Sequence, residues 1–427
     1  MIIQDIESLQ ILDSRGNPTV QVKVVLEDGS SGVFKVPSGA STGIHEACEL
    51  RDDNKNLYHG KSVEKAVENV YKIKDELIDK DFNQSTLDEE LIRIDGTDNK
   101  SLIGANAILG ISIAFAKASA KYFNLPLYEY LYRLVNGIDF KKKSNLELPN
   151  VHLFANVING GLHSGNLLNV QEFMLVPMFG DLKAKIRAIS EIYQTLKVLI
   201  KEKYGKNNTN VGDEGGFAPE ISKCSEALDL LVEAIRKSNY EGQVGLALDA
   251  AASDFYLSEQ NKYEIEHGLI LDYKELTNFY SDLINNYPLI SIEDPMAEDD
   301  FEGFAYYMKN VAKMNYVNEL NGKKDTLVVG DDLLVTNPER ISIAVDKKLC
   351  SSLLLKINQI GTLTESVKAH LMAKKQGWHT IISHRSGETE DDFIADLAVA
   401  TESSIKIGAP ARSDRVAKYN RLLNIYK

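Results

Sequence analysis

The pattern of hydrophobic and polar positions divides the chain into two parts, which differ in how their apolar residues are spaced. In the first part apolar and polar residues alternate in IESLQILDS, TVQVKVVLEDGS and SGVFKVPS, which predicts a three-stranded meander with turns at GNP (16–18) and DG (28–29). From Val63 the spacing becomes helical, in VEKAVENVYKIKDELI and later in GANAILGISIAFAKASAKYF. Strands followed by helices predict a small α+β domain, which we place at residues 1–138.

The second part contains nine short apolar runs, most of which end in a polar or charged cluster and lead into a helical stretch. The runs are VHLFANVINGG, QEFMLVPM, NVGDEGG, VGLALDAA, LISIEDP, TLVVGDD, SSLLLKINQ, WHTIISHRS and SSIKIGAP. Continuous apolar runs are typical of parallel strands buried on both faces, and their alternation with helices predicts an α/β domain, a β/α barrel. We place this barrel at residues 139–427, beginning with the polar linker KKKSNLELP (141–149). In such barrels the active site forms at the carboxyl ends of the strands.

Three acids follow successive apolar runs at this predicted end of the barrel. Asp249 ends VGLALD, Glu293 ends LISIE and Asp331 ends TLVVGD. Any one of them alone would as readily cap a helix or pair with a lysine, but three converging carboxylates repel one another unless a cation lies between them. Ligands that are all oxygen, without a nearby cluster of His or Cys, favour magnesium over zinc.

Two lysines and two further glutamates complete the predicted chemistry. Lys356 ends the run LLLK, and it is either the partner of an ion pair or a general base whose pKa is lowered by a second cation such as Lys406. Glu172 and Glu214 are expected on the opposite side of the ring of strands, although a helix cap or a salt bridge would explain either one alone. A base and an acid on opposite faces of a pocket, with a metal, suit removal of a proton beside a carboxylate and loss of a neighbouring hydroxyl.

The stretch ISHRSGETEDD (382–392) places a cation-rich cluster at the end of another apolar run. His384, Arg385 and Ser386 have no local structural explanation, and their charge-assisted hydrogen bonds would suit an anionic group such as a phosphate. Glu390 and Asp391 are expected in the first turn of the following helix, where the helix dipole favours negative charge.

Composition and charge exclude some classes of binding partner. The chain has 427 residues, with 48 Lys and Arg against 62 Asp and Glu, so its formal charge is −14. No basic stripe is available for nucleic acid, and an anionic membrane surface would repel the chain. Three widely spaced cysteines, Cys48, Cys224 and Cys350, predict reduced, buried thiols. The acidic N-terminus and the lack of a long apolar stretch predict a cytoplasmic protein without a membrane span.

These stretches together resemble the enolase family over essentially the whole chain. The resemblance is carried by LDSRGNPTV, VPSGASTG, ELRD, GANAILG, NGGLHSGN, QEFM, GDEGGFAP, ALDAA, SIEDP, VGDDLLVTN, LLLKINQIGT, SHRSGETED, FIADLAVA and AKYNRLL. It implies an enolase-type eight-fold β/α barrel behind a smaller N-terminal domain. It also implies Mg2+-dependent, reversible dehydration of 2-phosphoglycerate to phosphoenolpyruvate, in a homodimer or larger homo-oligomer. One departure is the segment TESSIK before Lys406, which is one residue shorter than is usual in the family.

The resemblance also implies a role for each site residue. Lys356 would remove the C2 proton, and Glu214, supported by Glu172, would protonate the leaving C3 hydroxyl. Asp249, Glu293 and Asp331 would hold the tighter magnesium, and Ser41 would help to hold a second one that arrives with substrate. Arg385 and Ser386 would bind the phosphate, and Lys406 would bind the carboxylate region. The pocket would also be lined by His163, Gln171 and His384.

Three other interpretations stay open at the level of sequence. A magnesium-dependent sugar-acid dehydratase would need no phosphate clamp and no Glu172–Glu214 pair. Enolase-like chains can act at the cell surface, where Lys427 would suit a lysine-binding partner such as plasminogen; such binding would be an additional activity. An inactive structural paralogue would have lost a ligand or the base, and all of these residue types are present.

Overall fold

The computed structural model describes residues 1–39, 43, 45–142, 146–314, 317–318, 320 and 322–427, except for the side chain of His163. The N-terminal part opens with an antiparallel sheet in the order β1-β2-β3, which confirms the predicted meander. Its strands and the helices that follow are β1 (Ile3–Leu12), β2 (Pro18–Leu26), β3 (Ser31–Lys35), α1 (Glu64–Leu77), α2 (Gln84–Asp95), α3 (Ala105–Tyr122) and α4 (Leu127–Asn136).

Helix α3 packs against the inner face of this sheet, and small residues allow the close approach. Its Ala, Gly and Ser residues are buried almost all round. A side chain at Gly32 of β3 would put its Cβ 2.1 Å from the carbonyl oxygen of Ala114, so only glycine fits there. Every second residue of β2 from Val20 to Leu26 is fully buried, as the alternating pattern predicts.

The second part is a closed barrel of eight strands, as expected. The ring order is β10-β11-β12-β13-β14-β4-β5-β6. Its strands, the helices between them and a small three-stranded sheet are β4 (Leu153–Asn159), β5 (Glu172–Pro177), α5 (Leu182–Tyr204), α6 (Cys224–Lys237), β6 (Val244–Asp249), β7 (Tyr256–Leu257), β8 (Lys262–Glu266), β9 (Leu269–Leu271), α7 (Tyr273–Asn286), β10 (Leu289–Glu293), α8 (Phe301–Asn310), β11 (Leu327–Gly330), α9 (Pro338–Lys347), β12 (Ser352–Leu355), α10 (Ile357–Ile360), α11 (Leu363–Lys375), β13 (His379–Ser383), α12 (Phe393–Ala400), β14 (Ser404–Lys406) and α13 (Ser413–Ile425).

Two details of the predicted barrel are wrong. One of the nine runs, NVGDEGG, is not a barrel strand but a loop in which Val211 forms an isolated bridge with Phe217, because its glycines and acids leave too few apolar side chains to bury. In addition, β5 runs antiparallel to both of its neighbours, β4 and β6. The connection between β4 and β5 contains a short 3-10 turn at Gly161–His163 but no α-helix, so the chain returns directly, as antiparallel neighbours can.

The two parts of the chain meet along a polar seam beside the barrel mouth. Ser38 and Gly387 exchange backbone hydrogen bonds of 2.7 and 2.9 Å. Asp391 lies 2.7 Å from the ammonium of Lys117, and Glu390 pairs with Lys35. These acids therefore do not form the first turn of α12, which begins at Phe393; they pair with lysines of the N-terminal part instead. The boundary at residues 138 and 139 stays a prediction.

Two further expectations concern the thiols and the membrane. All three cysteines are free thiols; Cys224 and Cys350 are buried, as expected, whereas Cys48 is only partly buried. Among the described residues, none of the helices is both long enough and apolar enough to cross a bilayer.

Candidate active site

One cavity at the barrel mouth gathers most of the residues that the sequence singled out. The predicted residues that line it are Gln171, Glu172, Glu214, Asp249, Asp331, Lys356, His384, Arg385, Ser386 and Lys406. Asp254, Asp294 and Asp332 also line it and were not predicted. Ser41 and the side chain of His163 lie outside the described residues.

The carboxylates of Asp249 and Glu293 are placed side by side by the barrel ladder. They are the last residues of β6 and β10, and their Cα atoms are register partners in the parallel pairing of these strands. Asp331 follows β11, the next strand of the ring. All three side chains are buried. The barrel thus brings three oxygen donors to one edge, because parallel strands end together there.

Lys406 lies among these acids, so the shortened segment before it does deliver the lysine to the site. It is the last residue of β14, and its Nζ lies 3.1 Å from Asp249 Oδ2, 2.9 Å from both carboxylate oxygens of Glu293 and 3.1 Å from Glu172 Oε2. Burial disfavours its charge, but the surrounding carboxylates, Asp249 first, outweigh burial and raise the pKa of Lys406 well above its usual value.

The excess of buried carboxylates around Lys406 suits the binding of a further cation. Burial, together with the adjacent Asp249, raises the pKa of Glu293 well above its usual value even though Lys406 opposes the shift. Lys406 therefore does not fully offset the burial and mutual repulsion of these carboxylates. Buried carboxylate oxygens with a deficit of positive charge are the donor set that a hard divalent cation prefers.

Two groups of described side chains lie close enough together to share a metal ion. One consists of Glu172, Glu214 and His384, the other of Asp294, Asp331 and Asp332, with ligand atoms in each group within 4.8 Å of one another. Asp249 and Glu293 belong to neither group because they converge on Lys406 instead. Asp331 is the one predicted metal ligand within these groups.

Lys356 follows β12 and pairs directly with Asp331. We expected neighbouring cations to lower its pKa. Burial does so, and Arg385 and Lys406 add to it, but the contact with Asp331 outweighs these effects and the pKa of Lys356 is raised. The expected direction is therefore wrong, because the lysine has Asp331 as its partner.

Glu172 lies on the opposite side of the ring from Lys356. It is the first residue of β5, and its Cα is the register partner of Asp249. Because β5 is antiparallel, its amino end rather than its carboxyl end reaches the barrel mouth. In the ring order β5 is four strands from β12. Burial, then the neighbouring Glu214, raises the pKa of Glu172 well above its usual value.

Glu214 is supplied by the GDEGG loop rather than by a strand. Its Oε2 accepts a hydrogen bond of 2.9 Å from the side chain of Asn156, and its backbone oxygen accepts one of 3.0 Å from Ala409. Gly216 lies so close to Asn159 that a Cβ there would be 1.9 Å from Asn159 Oδ1. Asn156 was missed by the sequence analysis, although its position inside an otherwise apolar run was a visible signal.

Arg385 follows β13 and is already paired with an acid of the N-terminal part. Its Nη1 lies 3.0 Å from Glu46 Oε2 and its Nη2 lies 3.2 Å from Glu46 Oε1, and Nη1 also donates to Asn358 Oδ1 at 3.0 Å. The two charged side chains are 4% and 6% exposed. Glu46 was not predicted, because no local pattern reveals a partner 339 residues away.

His384 and Gln171 flank the two carboxyl groups. Burial, opposed by Glu214 and reinforced by Arg415, lowers the pKa of His384 to about 4, so the imidazole is neutral near pH 7. Its Nε2 lies 3.5 Å from Glu214 Oε1. The Gln171 amide donates to Asp249 Oδ2 at 3.3 Å and thereby orients that carboxylate.

The fold and the site define the class of protein: a β/α-barrel enzyme with buried acids and lysines opposed across the barrel mouth. The family profile "Enolase, C-terminal TIM barrel domain" matches residues 146–427, and "Enolase, N-terminal domain" matches residues 3–131. The chain is 48% identical to Enolase 1 of Entamoeba histolytica, covering 100% of this chain and 96% of that protein, and 48% identical to an enolase of Methanocaldococcus jannaschii, covering 99% and 94%. The chain belongs to the enolase family, the lyases that dehydrate 2-phosphoglycerate to phosphoenolpyruvate in glycolysis.

Proposed function

We propose that this cavity dehydrates 2-phosphoglycerate with Lys356 as the base and Glu214 as the acid. The observation that carries this assignment is the opposition of the two groups: Lys356 directly follows β12, while Glu214 adjoins Glu172 on β5, across the ring. A substrate between them would present its C2 proton to one side and its C3 hydroxyl to the other.

The reaction divides into two proton transfers. Lys356 Nζ takes the C2 proton, and the electron pair of the C–H bond moves into the substrate carboxylate to give an enolate. This pair then returns to form the C2–C3 double bond as the C3–O bond breaks. Glu214 gives its proton to the departing hydroxyl, which leaves as water. Glu172 keeps that proton available, because two adjacent buried carboxyls hold a proton more tightly than one.

Asp249, Glu293 and Asp331 would hold a magnesium ion, and the resemblance assigns a second one that arrives with substrate and is contacted by Ser41. When bound, such ions would neutralise the charge that develops on the enolate and would compete with Lys356 for the Asp331 carboxylate, which would bring the lysine pKa down. Lys406 and Gln171 hold Asp249 in place for this role.

The remaining site residues would bind the substrate's anionic groups. Arg385 and Ser386 would contact the phosphate, and Lys406 would face the carboxylate region. Neutral His384 would line the pocket beside Glu214, and the family resemblance assigns His163 to the pocket lining as well. The net charge of −14 leaves nucleic acid without a binding surface. We further propose a cytoplasmic location and a homodimer or larger homo-oligomer.

The test is phosphoenolpyruvate formation from 2-phosphoglycerate, followed by ultraviolet absorbance with magnesium and then with a chelator. We expect turnover that stops on chelation, and a loss of at least about 1000-fold in kcat for Lys356→Ala because the base is removed. Lys406→Ala should lower kcat and raise KM. Lys183→Ala, at an exposed lysine outside the cavity, is the control that should behave as wild type. Turnover by Lys356→Ala within tenfold of wild type would overturn the assignment of the base.

A further inference from the structure

A buried arginine outside the predicted site makes the densest set of contacts with it. Arg415 lies in the first turn of α13 and is fully buried. Its guanidinium Nη1 donates to His384 Nδ1 at 2.6 Å and to the carbonyl oxygen of Arg385 at 2.7 Å. Its Nη2 donates to the carbonyl oxygens of Ser386 at 2.8 Å and Asp213 at 3.1 Å.

The contact with His384 decides which imidazole nitrogen carries the proton. An arginine side chain has only donors and stays protonated, so His384 Nδ1 must accept. In the neutral ring the single N–H is then on Nε2, which is the nitrogen 3.5 Å from Glu214 Oε1. Arg415 therefore aims a donor at the carboxyl group that is proposed to protonate the leaving hydroxyl.

The backbone contacts join two loops that are distant in the sequence. Arg385 and Ser386 follow β13, whereas Asp213 immediately precedes Glu214 in the GDEGG loop. One rigid guanidinium binds carbonyl oxygens of both loops, so the acid and the phosphate-binding residues keep a constant separation. Asp414 Oδ2, 3.0 Å from Arg415 Nε, balances the charge of the guanidinium.

We infer that Arg415 is a positioning residue for the acid half of the dehydration: it orients His384 toward Glu214 and ties the Glu214 loop to the loop of Arg385 and Ser386. The inference rests on the proposed roles of these residues. Arg415 does not line the cavity, so it acts through the groups that it holds. A lysine in its place keeps the charge but cannot reproduce a planar fork that reaches four acceptors.

The experiment compares two rates in Arg415→Lys: dehydration, and exchange of the C2 proton of 2-phosphoglycerate with deuterated solvent. Exchange needs the base Lys356 but not the acid Glu214, whereas dehydration needs both. We expect kcat for dehydration to fall about 100-fold, as a displacement near 1 Å can cause, while exchange falls less than about tenfold. Arg412→Lys is the matched control, since its guanidinium binds Ser14 and Asp414 instead of the site; both of its rates should stay within about twofold of wild type.

Two results would overturn the inference. One is dehydration at the wild-type rate in Arg415→Lys, and the other is an equal fall in both rates, which would indicate general damage to the structure. Histidine-15N NMR of the folded Arg415→Lys protein gives a second readout, because loss of the bond to Nδ1 should shift proton occupancy between the two ring nitrogens of His384. If wild-type protein with magnesium formed no phosphoenolpyruvate, the proposed function would fail instead, so the two failures are distinguishable.

Discussion

From the buried pair of Arg385 and Glu46 we predict that one substitution will lower the stability of the free protein and raise its affinity for anions. The proposed phosphate ligand is already neutralised by Glu46, through contacts of 3.0 and 3.2 Å. Glu46→Gln keeps the shape of the side chain and removes its charge. Arg385 then loses its directly bonded counter-charge in the free protein, and an incoming phosphate no longer competes with that carboxylate.

The magnitude follows from the burial of the pair. Removing one partner of a buried ion pair costs about 3–5 kcal/mol, but glutamine retains one acceptor oxygen, so we expect a loss of about 2–3 kcal/mol in the free energy of unfolding. At about 2.1 cal/mol/K of unfolding entropy per residue, a chain of 427 residues loses about 1 °C of Tm per kcal/mol, hence about 2–3 °C. Two charges about 4–6 Å apart interact by more than 1.4 kcal/mol at an effective dielectric near 20, so inorganic phosphate should bind at least about tenfold more tightly.

The assay is thermal unfolding with and without inorganic phosphate, together with calorimetric titration of phosphate into the magnesium-loaded protein. Glu90→Gln is the control, because its partner Arg93 is 63% exposed and such pairs contribute little. It should change neither Tm nor phosphate affinity appreciably. Phosphate binding to Glu46→Gln that is no tighter than in wild type would refute the argument, since it would mean that Glu46 does not compete for Arg385.

Two further predictions follow from buried groups away from this pair. Burial raises the pKa of Asp88 from 3.8 to about 6, so its ionisation destabilises the folded state progressively between these pH values, by about 3 kcal/mol above pH 6. Asp88 accepts two hydrogen bonds from Thr364, which connect the two parts of the chain. Asp88→Asn should flatten the pH dependence of the free energy of unfolding in this range, measured by urea unfolding. An unchanged dependence on pH would contradict the raised pKa of Asp88. Gly408→Ala would place a Cβ 2.6 Å from the carbonyl oxygen of Glu214 and should lower kcat about 100-fold. Gly242→Ala, also at positive φ but with nothing within 4 Å, should leave kcat unchanged; equal kcat in the two variants would show that the Glu214 loop tolerates displacement.

The barrel strands could be predicted from the sequence because they depend on local properties of the chain. Eight of the nine apolar runs are barrel strands, because a continuous apolar stretch bounded by polar residues is a local property. The charged residues that end several of these runs, such as Asp249 and Lys406, lie at the barrel mouth for the same reason. The ninth run fails on local grounds as well, since NVGDEGG has too little apolar surface for a buried strand.

The direction of β5 and the partners of the site residues could not be determined in this way. Strand direction depends on which neighbours pair, and Glu172 reaches the mouth only because β5 is reversed. The raised pKa of Lys356 reflects Asp331, which lies beside it because β11 and β12 pair in parallel. The sequence pattern did not identify Glu46 or Arg415 as site residues. An isolated charged residue in a loop or helix resembles an ordinary surface residue until its burial is known.

The sequence by itself therefore determined the barrel, the family resemblance and the chemical groups at the strand ends, because these depend on residue type and spacing along the chain. Only the tertiary structure decided which charges neutralise one another, which carboxyls sit together and which arginine orients the histidine. Those properties depend on distances of about 3 Å between groups hundreds of residues apart, such as Glu46 and Arg385, and such distances are set only when the N-terminal part packs beside the barrel mouth.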